Sequence, residues 1–236
     1  MHPAKEVAAM GNRELKIRIR KLLVQDDFSA GIDALARIPG RRAVNPLFSF
    51  FYSKEELLRW RAVLAMGAVV SRLADQDMES ARVVMRRLMW NLNDESGGIG
   101  WGSPEAMGEI AARHLRLADE FAGILISYID PRGNYLEHEL LQRGVLWGIG
   151  RLAHARPAHA AAAAAHLPVF FESPDPCLRG TAIWAVGPIL SADARPLVAA
   201  RLDDDASLRL YRKMRMTVTT VAELAEAALG GNASPA

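Results

Sequence analysis

A short pattern returns four times along the chain: "LAMGAVV" (64–70), "EAMGEIA" (105–111), "WGIGRLA" (147–153) and "WAVGPIL" (184–190). Aligning its glycine puts Gly67, Gly108, Gly150 and Gly187 in one column, with separations of 41, 42 and 37 residues. A period of this size suits one helical hairpin per repeat, a unit that buries its apolar face only by stacking on its neighbours. Glycine costs roughly 1 kcal/mol of helix propensity relative to alanine. Its return at one place therefore needs a packing reason, and close approach of a neighbouring helix supplies one.

The rest of the chain agrees with helix. Leu15, Ile19, Leu22 and Leu23 form the stripe of an amphipathic helix. Ser53 with Glu56, Asn134 with Glu137 and Thr220 with Glu223 have capping-box spacing. Pro104, Pro157 and Pro176 suit first turns. These signals predict helices over 12–24, 28–38, 41–51, 54–74, 77–92, 103–113, 115–129, 135–153, 157–171, 176–190, 193–203 and 220–229. A β-prone stretch around 206–220 predicts a small hairpin turning near Arg212–Met214, followed by a capping helix. The tail "GGNASPA" reads as disordered.

The segments "LLRWRAVLAMG" (57–67) and "CLRGTAIWAVG" (177–187) resemble the second helix of HEAT-like repeats, including the phycobilisome-lyase type. The resemblance covers roughly residues 40–205. Residues 86–110 also resemble a HEAT-like family of sulfate-reducing bacteria that has no established activity. The resemblance implies an all-α, right-handed superhelical stack of hairpins, with a small β-hairpin and capping helix near the C-terminus. Residues 1–39 then cap one end, 40–205 are repeats, 206–229 cap the other end, and 230–236 are a tail, all in one continuous domain.

One stretch breaks the pattern. In "NDESGGIGWGSPEAMGE" (93–109), four glycines fall between Gly97 and Gly102. In the repeat register, residues 98–104 fall where 57–63 sit in the previous repeat, so Trp101 aligns with Trp60. The glycines thus replace the first turns of a second-type helix, which restarts with Ser103 as N-cap and Pro104 at its first position. Such a restart turns free backbone N–H groups toward the gap. Asp94 and Glu95 either satisfy them or line a pocket with Trp90 and Trp101. The contact candidates are Trp90, Asp94, Glu95, Gly98, Gly100, Trp101, Ser103 and Glu109. The bland alternative is an inter-repeat loop whose glycines supply positive φ and whose Trp101 plugs a gap.

Catalytic constellations are weaker. "LEHEL" (136–140) resembles the His-Glu pairs of HEAT-type deoxyhypusine hydroxylases, but one pair cannot complete a di-iron site. Trp90 and Asp94 at i, i+4, with Arg143 and Trp184 further on, resemble the residue types of HEAT-like alkylation-repair DNA glycosylases. Against this, the residues around Asp94 do not otherwise match, and a pI near 8.8 is only mildly basic. Basic clusters at 13–21, at Arg82, Arg86 and Arg87, and at 212–215 read as a phosphate rim or as scattered solvated faces. His159 and His166 share a face but lie two turns apart, too far for one metal. "GGIGWG" lacks the preceding strand that a dinucleotide fingerprint requires.

The formal charge is +2, and Cys177 is the only cysteine, which rules out an intramolecular disulfide and a multi-thiolate zinc site. No apolar run reaches eighteen residues. The expected protein is cytoplasmic and non-catalytic, without cofactor or metal. It binds another protein or a peptide through a concave face and the 94–104 region. The alternative is a nucleic-acid binder or a glycosylase of the alkylation-repair type. An accessory role to a cofactor-bearing enzyme follows only from the lyase-type resemblance.

Overall fold

The computed structural model describes residues 10–92 and 100–231. It divides into two compact units, residues 1–114 and 115–236. The expected tail from residue 232 onward lies outside the described residues.

The first unit contains α1 (Asn12–Val24), α2 (Phe28–Ala36), α3 (Gly40–Phe50), α4 (Glu56–Gln76), α5 (Met78–Leu92) and α6 (Ser103–Arg113). The 21-residue helix α4 is its centre and packs against the other five. Residues 62–70 of α4 are buried without a break. A helix that is apolar all round belongs in a core, and Ala62, Ala65, Gly67 and Ala68 keep it thin enough to be surrounded. This run therefore offers no side chain to a partner.

The second unit contains α7 (Leu115–Ser127), α8 (Glu139–Ala155), α9 (Pro157–Ala160), α10 (Pro176–Val186), α11 (Arg195–Ala199), β1 (Ser207–Arg212), β2 (Arg215–Thr220) and α12 (Val221–Leu229). The expected helix over 157–171 is α-helical only to Ala160. It then tightens into 3₁₀ turns at Ala161–Ala165 and Leu167–Glu172. Pro168 contributes to the second of these, since it offers no N–H and its ring clashes with the Ala164 carbonyl four residues back. Pro188 acts similarly after α10, where Gly187–Ile189 is 3₁₀. The hairpin is antiparallel, with Ser207 opposite Thr220 and Arg212 opposite Arg215. Leu208 packs against Gly180 of α10, where a Cβ would lie 2.6 Å from a Leu208 methyl. Trp147 Nε1 donates to Tyr211 O at 2.7 Å and ties α8 to the hairpin.

The expected capping boxes fare unequally. Thr220 and Glu223 form one, with both reciprocal bonds present. Ser53 instead accepts from the nearby Glu55 N–H, and α4 begins at Glu56. Asn134 donates to Ser127 Oγ, and α8 starts later, capped by His138.

The glycine column marks equivalent helices. Helices α4, α8 and α10 each start eleven residues before their glycine: Glu56 to Gly67, Glu139 to Gly150 and Pro176 to Gly187. Helix α6 starts only five before, Ser103 to Gly108. A shared clamp accompanies the early starts. The residue eight before the glycine donates back to the carbonyl six residues earlier. Arg59 reaches Ser53 O at 3.0 Å, Gln142 reaches Leu136 O at 2.9 Å and Arg179 reaches Ser173 O at 2.7 Å. In the remaining repeat that position is Gly100, which has no side chain to donate.

Candidate functional site

The late start of α6 is the place where the first unit departs from its own pattern. Ser103 N–H donates to Gly100 O at 3.0 Å, closing a turn around Trp101 and Gly102. Gly102 has φ 73° and packs on the Phe51 ring, where a Cβ would lie 2.8 Å away. Both the left-handed backbone and the contact require glycine. Gly102, rather than Ser103, is therefore the N-cap, and it makes no side-chain cap. Ser103 is the first helical residue, with Pro104 after it. Ser103 is fully buried, and its Oγ accepts from Asn91 Nδ2 at 3.4 Å.

The other candidates separate. Gly100 is buried against Asn91, and a Cβ on it would lie 2.7 Å from the Asn91 carbonyl oxygen. Trp101 is half-buried, with the Arg59 guanidinium 6.0 Å from its ring centroid. Trp90 stands on the solvent face of α5 and is 74% exposed. Glu109 is fully buried, ion-paired with Arg113 at 2.5 Å and pressed against Gly67 of α4. It belongs to the α4–α6 packing and not to the helix start. Asp94, Glu95 and Gly98 lie outside the described residues.

Two participants lie within repeat segments but were not among the candidates. Arg59 of α4 faces Trp101. Glu105, in the first turn of α6, stands three before the column glycine. The other repeats fill that place with Leu64, Trp147 and Trp184, all buried. Glu105 is half-buried, yet its Oε2 is sealed from solvent with no hydrogen-bond partner. Burial raises its carboxyl to about 7, against smaller lowering by its own backbone N–H and by the Arg59 charge. Such a carboxyl is poised between its neutral and ionised forms. The signal was in the repeat register, where one acid interrupts an otherwise apolar column.

The remaining constellations resolve as structure. His138 Nδ1 accepts from Leu140 N–H at 3.3 Å and caps α8. Arg143 pairs with Asp175 at 2.8 Å, and Trp184 is buried and stacked on His154 at 4.9 Å between ring centroids. Of the glycosylase-like set, Arg143 is thus held in an ion pair and Trp184 in the core. His159 and His166 approach Asp119 and Asp130 at 2.7 and 3.9 Å. A groove of about 480 Å³ between α3 and α5 has Val44, Val83 and Val84 in its lining. Its rim cations are engaged, Arg41 by Asp77 at 2.5 Å and Arg87 by Asn45 at 2.5 Å. Arg86 and Arg82 both lean on Glu79. No helix among the described residues is long and apolar enough to cross a membrane.

In fold the chain is a helical repeat protein with a small two-stranded sheet and a following helix near its C-terminus. It superposes on an engineered protein with a TM-score of 0.52, at 16% identity, over 94% of this chain and 96% of the other. It also superposes on a designed armadillo repeat protein in complex with the peptide (KR)4, with a TM-score of 0.50, at 16% identity, over 92% and 99% of the two chains. In sequence it is 33% identical over 107 residues to an uncharacterized protein of Archaeoglobus fulgidus. That alignment takes in 45% of this chain and 52% of the relative, so the chain matches about half of the relative's length. No family model matches the chain.

Proposed function

We propose that the chain is a non-catalytic binding protein of the HEAT-like, phycobilisome-lyase repeat kind. Its proposed occupant is a segment of another protein. Residues 40–205 form the repeats in this reading, 1–39 and 206–229 cap them, and the protein works in the cytoplasm. The contact region is the late start of α6 with the end of α5: Trp90, Gly100, Trp101 and Ser103, joined by Arg59 and Glu105. Asp94, Glu95 and Gly98 belong to it by their place in the sequence. One observation carries the reading. Three second-type helices share a start and a clamp, and the fourth gives up both where Trp90 is left largely exposed. Large exposed aromatics flanked by polar groups are the usual anchors of interfaces. The likeness to a designed repeat protein holding a peptide is a likeness of fold, and it fits this class of occupant.

The test is capture of partners from native cells by the full chain and by the double variant Trp90→Ala, Trp101→Ala. The proposal expects a specific partner whose recovery falls at least tenfold with the variant, while its unfolding transition stays cooperative. Equal recovery by both proteins overturns it. The second reading, a nucleic-acid binder or alkylation-repair glycosylase, draws on Trp90 lying one turn beyond Arg86 and Arg87 on α5. It requires salt-dependent binding to DNA, and the pairing of those arginines with Glu79 and Asn45 disfavours it.

A further inference from the structure

The contact region contains one group whose chemistry is unfinished. Repeat packing puts an apolar side chain three residues before each column glycine, and Leu64, Trp147 and Trp184 obey. Glu105 does not. A carboxyl in a core position ordinarily survives because it is paired, since an unpaired buried polar oxygen costs free energy. Here Oε2 has no partner among the described residues. Its surroundings do not replace one. From α4 the charged group that faces it is Arg59, half-exposed and bound to Ser53 O, with its guanidinium over Trp101. From α5 comes uncharged Asn91, spent on Ser103. Within α6, Glu109 is one turn on and already paired with Arg113.

We propose that Glu105 is the anchor for a primary ammonium, its Oε2 accepting from the N–H groups and Trp101 covering the alkyl stem. The inference rests on the start of α6 being the contact region. An ammonium supplies the missing donor and the charge that lets the carboxylate stay ionised where it is buried. Trp101 already accepts a cation on its ring, that of Arg59. A neutral amide would satisfy the oxygen without the charge, so the pH dependence separates the two. The ammonium is borne either by a lysine of a partner segment or by a free alkylamine.

The experiment follows the indole N–H resonance of Trp101 in the full chain, titrated with butylammonium and, separately, with the peptide acetyl-Leu-Lys-Leu-amide. The same peptide with norleucine for lysine is the control. Binding of either ammonium is expected, and the norleucine peptide is expected not to bind. Affinity should fall about tenfold from pH 8 to pH 6 as the carboxyl takes up its proton. Tighter binding of the peptide assigns a protein source, and tighter binding of butylammonium a free amine. Glu105→Gln should abolish the pH dependence and the binding. Glu105→Leu, which restores the residue type of the column, should abolish binding and raise the melting temperature. Three results overturn the proposal: no ammonium binding by the natural chain, equal binding by Glu105→Gln, or a lower melting temperature for Glu105→Leu. Loss of partner capture on changing Trp101, without ammonium binding, sinks this inference and leaves the binding role standing. Ammonium binding without any partner does the reverse.

Discussion

Gly150 lies flat against the ring of Trp184, so that a Cβ on it would fall 2.5 Å from Cε3 and closer still to Cζ3. The column glycine is thus the seat of a bulky side chain on the next second-type helix. Gly67 plays the same part toward Glu109.

Three alanine substitutions should therefore rank in a fixed order. Gly150→Ala meets a buried indole on which His154, one turn further along the same helix, also stacks, and should cost about 3 kcal/mol, the upper range for overpacking. Gly67→Ala meets the stem of Glu109, which can bend, and should cost about 1–2 kcal/mol. Gly123→Ala in α7 meets nothing within 4 Å and should gain about 0.5–1 kcal/mol. Urea unfolding of the three variants checks the order.

Glu105 sets a pH dependence of known sign. Its folded value of about 7 lies above the ordinary 4.5. The favourable contribution of its neutral form is complete below 4.5 and is lost as pH rises toward 7. The loss should be at most about 3 kcal/mol. Hydrogen exchange in α6 should show protection falling across that window in the natural chain and staying level in Glu105→Gln.

His154 runs the other way. Burial, aided by Arg151 and Arg212, holds its imidazole down to about 4 from 6.5, against the opposing effect of the Trp184 carbonyl 3.2 Å away. The stability it contributes is present above 6.5 and is lost as pH falls through 4, on the order of 2 kcal/mol for a partly exposed ring. Imidazole carbon resonances in an NMR titration should place the His154 midpoint well below those of exposed histidines.

The hairpin carries removable strain. Lys213 and Met214 have φ of 50° and 61°, the left-handed pair that a two-residue turn demands and that glycine or asparagine usually fills. Met214→Gly should stabilise the second unit by about 1 kcal/mol. A higher melting temperature and slower amide exchange at Leu210 and Tyr211 would show it.

Periodicity made the helices and the glycine column legible, because burial in a repeat stack imposes both. Thr220 with Glu223 forms the cap because α12 begins directly after Thr220, whereas α4 and α8 begin later than their boxes imply. Ser53 and Asn134 misled because the same residue types also close loops, and only the course of the chain decides between the two uses. The shortened α6 was legible from the register alone. Glu105 and Arg59 lie inside repeat segments, 105–111 and 57–67, but the repeat itself assigns neither a role. Their meaning depends on which side chains surround them, and only the column comparison hints at it. The 3₁₀ turns over 161–172 run against a stretch of strong helix formers, and Pro168 accounts for only their second part.

The clamp from the second-type helix back onto its own loop makes loop and helix one cassette. Arg59, Gln142 and Arg179 each fasten the stretch that precedes their helix, so a loop grafted without its helix leaves its fastening behind. At Gly100 there is no fastening to lose. A foreign segment spliced between α5 and α6 forfeits no clamp bond. Among the described hairpins that junction lacks the clamp, while Gly102, seated on the Phe51 ring, still fixes where α6 begins.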